Sequence, residues 1–249
     1  MRYWFLAMDE HSLQSPFLFD VYQQALNPSR RKKVKNIEIE AIRKRLYKDS
    51  RHIEVDSLGS KSSLAFSRSK QISAIAKAGI SDRNQSEILV NLLEYQSSKV
   101  ILELGTSLGL NTIYMSQAGV VERVVTVDGN SELCEISQSH FSELEIQGIE
   151  LINTDIDAFI LETNETFDFV YMDANHTYEA TKRYFSFALD RLSKSGTIVI
   201  DDINWSQEMK KAWLEIQQDY SDHVYIENDK IGIVFANVKS LNGNYILRF

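Results

Sequence analysis

The chain has 249 residues, a quarter of them charged, and its 27 Lys and Arg against 35 Asp and Glu leave a formal net charge of −8. That length can bury a sizeable core and fits one α/β domain with an appendage; the acidic balance offers no electrostatic footprint for nucleic acid and favours a small-molecule partner. Two prolines and ten glycines argue against low complexity, the single Cys134 rules out an internal disulfide and suits a reducing cytoplasm, and no apolar run nears the roughly eighteen residues of a membrane span.

Tyr3 to Met8 is apolar but too short for a secretory core segment. Phe17 to Leu26 reads as an amphipathic helix stopped by Asn27-Pro28. The cluster Arg30-Arg31-Lys32-Lys33-Val34-Lys35 reads as a solvated hinge rather than an anion dock, and leads into a helix from Ile37 to Asp49. His52 to Arg68 is polar and Ser-rich, a loop candidate for a cover over a site. Ser69 to Ala78 predicts a helix ended by Gly79, and Ser81 is the expected N-cap of another to Tyr95, with Ile88, Leu89, Leu92 and Leu93 on one face. Residues 1–80 are thus expected to be a helical extension or lid on a main domain spanning 81–249.

The chain is organised around Lys99-Val-Ile-Leu-Glu-Leu-Gly105-Thr-Ser-Leu-Gly109, a short apolar strand, a glycine turn and a helix from Leu110 to Ala118. A dinucleotide fingerprint would need glycines at 107 and 110, where Ser107 and Leu110 stand. Gly105-Thr-Ser107-Leu-Gly109 also spells the nucleophile elbow of a serine hydrolase of α/β type, although the first ninety residues lack the upstream strands that fold needs. A non-catalytic nucleotide-binding module is the remaining alternative.

Alternating strands and helices follow, which predicts a doubly wound, mostly parallel sheet. Arg123 to Val127 is a strand stopped by Asp128, placed to accept both hydroxyls of a ribose, though Asp128-Gly129-Asn130 is also good turn chemistry. Ser131 is the expected cap of the helix through Glu145, in which neither Cys134 nor His140 invites a special role. The strand Ile149 to Ile152 leads to Asp155, a helix cap or a ligand. Phe167 to Met172 ends at Asp173, with His176 opening the next helix, where an imidazole could take a proton at neutral pH. After Ser195-Gly196 the strand Thr197 to Ile200 ends at Asp201-Asp202; with Asp173 these carboxylates either make an oxygen-rich site for Mg²⁺ or bond substrate and cap the helix from Ser206. Trp205 and Trp213 are pocket walls or plain core. A hairpin of His223 to Glu227 and Ile231 to Phe235 closes the domain, and the apolar tail to Phe249 should pack.

Glu103-Leu-Gly105-Thr-Ser107-Leu-Gly109 resembles the first motif of class I S-adenosylmethionine-dependent methyltransferases, with Ser107 for the middle glycine. Phe167-Asp-Phe-Val-Tyr-Met-Asp173-Ala-Asn-His176-Thr-Tyr178-Glu179 is similar to the fourth-strand segment of their small-molecule O-methyltransferase branch, and Ser81, Gln85 and the following leucines resemble the helix before the first strand in catechol- and caffeoyl-CoA-type enzymes. The resemblance implies a Rossmann-like, seven-stranded sheet with an antiparallel last strand, and methyl transfer from S-adenosylmethionine to the oxygen of a small molecule. It places Glu103, Gly105, Thr106, Ser107, Gly109, Asp128, Asp155, Ile156 and Asp173 at the cofactor, and Asp173 and His176 on the acceptor side. It offers Asp173, Asp201 and Asp202 to a divalent cation, with the departure that Ile203 falls where a ligating Asn is found in metal-dependent members. The acceptor's identity and the oligomeric state have no signature in the sequence.

Overall fold

Strand β3 (Val100–Leu104) is apolar on both faces apart from Glu103, and both faces are covered. Ile101, Val124, Phe169, Tyr171 and Val199 belong to one core layer, while their alternating neighbours Leu102, Val125, Val170 and Ile198 belong to the opposite one. This is the period-two pattern of buried parallel strands. The computed structural model describes residues 7–8, 12–34, 36–55, 68–239 and 241–249.

Preceding β3 are α1 (Pro16–Val21), which runs into a π turn at Tyr22–Leu26, α2 (Ile37–Leu46), β1 (His52–Val55), β2 (Arg68–Gln71), α3 (Ile72–Gly79) and α4 (Arg83–Gln96). After it come α5 (Leu110–Ser116), β4 (Arg123–Asp128), α6 (Ser131–Glu143), β5 (Ile149–Asn153), α7 (Ile156–Glu162), β6 (Phe167–Met172) and α8 (Tyr178–Asp190). The chain closes with β7 (Leu192–Ile200), α9 (Gln207–Asp219), β8 (Val224–Glu227), β9 (Gly232–Phe235) and β10 (Gly243–Ile246). The sheet order is β10-β8-β9-β7-β6-β3-β4-β5, and only β9 runs against its neighbours. The expected doubly wound sheet with an antiparallel closing strand is therefore present, but it has eight strands rather than seven. The eighth is the tail, whose Gly243–Ile246 pairs in parallel with Val224–Glu227.

Several local expectations are corrected. The polar segment from His52 is not all loop: β1 and β2 pair antiparallel, Ile53 opposite Lys70, and residues 56–67 between them lie outside the described residues, as do most of the apolar run from Tyr3 and Lys35 of the basic cluster. That pairing takes Ser69 to Gln71 out of the expected helix. Asp82, not Ser81, caps α4 by accepting from the Gln85 backbone N–H at 2.9 Å, because Ser81 is 3% exposed and its hydroxyl accepts from Asn111. Asn130, not Ser131, caps α6 through the Leu133 N–H. Strand β7 starts at Leu192, opposite Phe167, and passes an irregularity before the main register resumes at Phe169–Thr197.

The basic cluster is solvent-exposed at Arg30, Lys32 and Lys33, as expected, but not at Arg31, and it is pinned rather than a free hinge. Arg31 is 3% exposed, Lys32 pairs with Glu94 at 2.6 Å and Lys33 with Glu87 at 3.4 Å, while the Lys32 backbone exchanges hydrogen bonds with the Asn91 amide. The segment is strapped along α4. Leu18, Leu26, Ile39, Ile42 and Ile72 of the first eighty residues join the same apolar layer as Ile88, Leu89 and Ile113, so these elements cover one face of the sheet. Helices α7, α8 and α9 cover the other through Phe159, Phe185 and Ile216.

Candidate functional site

The carboxyl ends of β3, β4, β6 and β7 meet along one rim, as the crevice rule for open α/β sheets requires. The glycine loop passes there in conformations that bring its backbone close to neighbours. Gly105 has φ +102° and donates its N–H to Val127 at 2.9 Å, and a Cβ built on it would lie 2.2 Å from the Asp173 carbonyl oxygen. Gly109 has φ +77° and abuts Phe141, and Ser107 itself has φ +48°. The Ser107 N–H donates to Asp128 Oδ2 at 2.8 Å, and the Asn130 N–H to Oδ1 at 2.9 Å. Burial raises the Asp128 carboxyl above its ordinary range against the pull of these N–H groups.

Asp128, Asp155, Ile156 and Asp173 line one crevice of about 180 Å³ with Gly105 and Ser107. Asp155 caps α7 through the Ala158 N–H at 3.2 Å and also borders the crevice. Asn175 and Tyr184, which no sequence signal marked, complete the wall; Asn175 gives its amide N–H to the Tyr184 hydroxyl at 3.2 Å, while its buried Oδ1 has no partner. Such an unpaired buried acceptor costs stability unless a ligand supplies a donor. Thr106 faces inward, 2.6 Å from the Thr126 hydroxyl.

Glu103 lies beneath the loop, 1% exposed, where its carboxylate accepts from Thr126 at 2.6 Å and from Thr112 and borders a narrow hollow beside Gly105 and Ser81. Burial, which outweighs the threonine hydrogen bonds, pushes its carboxyl up to about 8. The folded chain therefore holds a proton that the unfolded chain releases near the ordinary value of 4.5. By linkage, Glu103's contribution is fully present below that value and is lost as pH rises to about 8. The loss is on the order of 5 kcal/mol, at about 1.4 kcal/mol for each pH unit between the two values. Urea unfolding at pH 5.5 and 8 should find Glu103→Gln gaining on the parent at the higher pH; a constant difference between the two would rule out a buried, protonated Glu103.

Beyond Asp173 a second hollow of about 460 Å³ opens, and the two share Val55, Leu133 and Asp173. Its apolar wall is Ile75, Ala78 and Ile80 with Val55; its charged and polar wall includes Lys70, His176, Asp201, Asp202 and Lys230. His176 Nε2 lies 3.4 Å from Asp173 Oδ1 and 3.8 Å from Asp202 Oδ2. Burial opposes the imidazolium, but the neighbouring carboxylates prevail and raise His176 above 6.5. Asp201 is 2% exposed; Tyr171 donates its hydroxyl to Oδ2 at 2.6 Å and Gln85 its amide at 2.5 Å, and burial drives the carboxyl up to about 7. The Tyr171 hydroxyl also lies 3.3 Å from Asp173 Oδ2. Neither Tyr171 nor Lys230 was foreseen, since they join this wall from β6 and the β8–β9 turn with no common motif.

Trp205, 67% exposed, edges this hollow, whereas Trp213 is 3% exposed, packs on Gly232 and bonds Glu227. A larger groove of about 540 Å³ beside Trp213 contains none of Glu103, Asp128, Asp173, Asp201 and Asp202. The Ser107 hydroxyl has no hydrogen-bonded imidazole among the described residues; His140 bonds the Leu108 carbonyl at 3.2 Å instead, so the hydrolase constellation is not assembled. Burial lifts the Cys134 thiol to about 11, which leaves it unreactive.

Residues 102–203 match a family model described as a methyltransferase domain. A catechol O-methyltransferase of Niastella koreensis is 29% identical over 126 residues, covering 48% of this chain and 55% of that protein, so the match spans about half the relative's length. Among solved structures, an O-methyltransferase from Bacillus cereus in complex with SAH superposes with a TM-score of 0.54 at 22% identity, covering 65% of this chain and 86% of its own. A putative caffeoyl-CoA O-methyltransferase from Staphylococcus aureus superposes with a TM-score of 0.59 at 16% identity, covering 89% and 98%. The strand order and the glycine loop thus give this chain the Rossmann-like fold of these methyltransferase structures, and its centre, residues 102–203, is similar to a methyltransferase domain.

Proposed function

We propose that this chain transfers a methyl group from S-adenosylmethionine to an oxygen of a small molecule. The observation that carries the reading is the pair of hollows joined at Asp173, one lined by the glycine loop and Asp128, the other by His176 and an apolar wall. The crevice suits the nucleoside: Asp128 stands at a strand end, where a carboxylate can accept ribose hydroxyls, and Asp155 and Ile156 border the same crevice, where they would meet the adenine amino group and ring face. When bound, the cofactor supplies an electrophilic methyl carbon on sulfur. The chain's own work is to orient: Gly105 lets the loop pass Asp173 without a side chain between them, and the Ile75, Ala78 and Ile80 wall holds the acceptor's apolar body. His176, neutral above its raised pKa, takes the hydroxyl proton, and Asp173 and Asp202 stabilise the imidazolium that results.

In this reading residues 1–80 act as a cover that shapes the acceptor side. No helix among the described residues is long and apolar enough to cross a membrane, and a reducing, cytoplasmic setting suits the buried thiol of Cys134. Calorimetry with S-adenosylhomocysteine against NAD tests the assignment. Binding of the former and not the latter is expected, and Asp128→Asn should weaken it roughly 10- to 100-fold, as loss of a charge-assisted acceptor does. Absence of S-adenosylhomocysteine binding, or labelling of Ser107 by a serine-directed phosphonate, overturns the reading.

A further inference from the structure

Asp173, Asp201 and Asp202 share one wall, the set that resemblance offers to a divalent cation. The donor set does not fit such an ion, which takes six or more oxygen ligands. Asp201 is buried with both oxygens committed, Oδ2 to Tyr171 and Gln85 and Oδ1 to the Asp202 N–H at 2.8 Å. Ile203 contributes buried hydrocarbon, and the Asn204 amide points its N–H to the Asp229 carbonyl at 3.1 Å. Among the described residues no three His, Cys, Asp or Glu side chains are grouped to hold a metal.

What faces these carboxylates is cationic side chains. His176 stands between Asp173 and Asp202. Lys70 lines the same hollow from β2, and so does Lys230. Its backbone is fixed at both ends of the residue: the N–H donates to Asn228 Oδ1 at 2.8 Å, and the carbonyl accepts from the Ile203 N–H at 3.0 Å. The second bond ties the lysine to the segment that carries Asp201 and Asp202. No carboxylate of the described residues lies within ion-pair distance of its ammonium, so the charge is free to meet an acceptor.

We infer that Lys230 and the His176 imidazole take the place of a divalent cation at this wall, so that methyl transfer runs without a metal and Lys230 steadies the acceptor oxygen as its proton leaves. This rests on the methyltransferase reading. The acceptor O–H gives its proton to neutral His176, and the oxygen's electron pair forms the new C–O bond. The C–S bond breaks with its pair remaining on sulfur, so the sulfonium becomes a neutral thioether, and His176 returns the proton to water. Lys230 is a positioning residue here: it compensates the carboxylates at rest and the oxygen during transfer.

Mn²⁺ titration of the unaltered protein saturated with S-adenosylhomocysteine, followed by electron paramagnetic resonance, should leave the free-ion signal undiminished to about 1 mM. A bound Mn²⁺ population that disappears in Asp202→Asn overturns the inference. In parallel, histidine NMR reads the His176 pKa, an easy assignment among five histidines. Lys230→Met should raise it by about half a unit, since removing one cation strengthens the carboxylates' hold on the other, while Lys230→Arg should leave it in place. An unchanged His176 in Lys230→Met also overturns the inference, and the Mn²⁺ arm decides alone where that variant does not fold. Failure of S-adenosylhomocysteine to bind at all would instead sink the methyltransferase reading, which keeps the two failures apart.

Discussion

Gly105→Ala is expected to abolish measurable S-adenosylhomocysteine binding and to lower the thermal midpoint by roughly 5–15 °C. Two independent effects act on the one methyl group. The backbone at φ +102° lies where a side chain is strained, a cost of about 1–3 kcal/mol. The added Cβ would also sit 2.2 Å from the Asp173 carbonyl oxygen and 2.8 Å from its carbon, both backbone atoms that cannot swing aside. Relief requires β3 and β6 to separate at the rim where Leu104 pairs with Met172, and that displaces Asp173 from the junction of the two hollows. In a domain of this size each kcal/mol lowers the midpoint by about 2–4 °C. Scanning fluorimetry and calorimetry read both effects; parent-like values in both would mean that the loop takes another path past Asp173.

The second large effect falls on His176. His176→Gln should lower kcat by about 10²- to 10⁴-fold, the usual contribution of a positioned general base, while S-adenosylhomocysteine binding stays within a few-fold of the parent. The parent's kcat/KM should rise with pH through the imidazole's raised pKa, above 6.5, because only the neutral ring accepts a proton. Below that value the imidazolium, held by Asp173 and Asp202, is blocked as a base. Stability moves the other way: a histidine whose folded pKa is raised stabilises the fold below the unfolded value and loses that contribution as pH rises through the folded one. Activity against a panel of hydroxylated acceptors, measured from pH 5.5 to 9, tests this. A flat profile, or a glutamine variant that keeps parental kcat, removes His176 from the proton-transfer role.

The central strands were legible because each carries its own evidence. Val100 to Leu104, Arg123 to Val127 and Phe167 to Met172 are too apolar for a surface strand, and each reaches an acidic residue near or just past its end, which places the carboxylates on one rim whatever the loops do. What escaped were features decided at a distance. Arg68-Ser-Lys-Gln71 has no apolar alternation and leads straight into a good helix; it is a strand only because His52–Val55 lies beside it. Ser81 and Asp82 are both good caps, and the choice fell to Asp82 because Ser81 gives its carbonyl to Arg43 at 2.6 Å and its hydroxyl to Asn111. Gln85 and Asp201 are 116 positions apart, and Tyr171 and Asp201 thirty, so no spacing rule could have joined them. Resemblance had marked Gln85 without a reason; the reason is a buried carboxylate that needs a donor.

Val55 borders both hollows from a strand clamped onto the start of α6: Asn130 donates its amide to the Glu54 carbonyl at 2.8 Å, and Glu132 accepts the Glu54 N–H at 3.0 Å. The residues that hold this strand, Asn130 and Glu132, follow closely on Asp128, while the strand itself belongs to the stretch before α4 that also supplies Lys70, Ile75 and Ala78 to the larger hollow. Val55 is therefore a wall common to the two hollows, and a change in its bulk alters the shape of both at once.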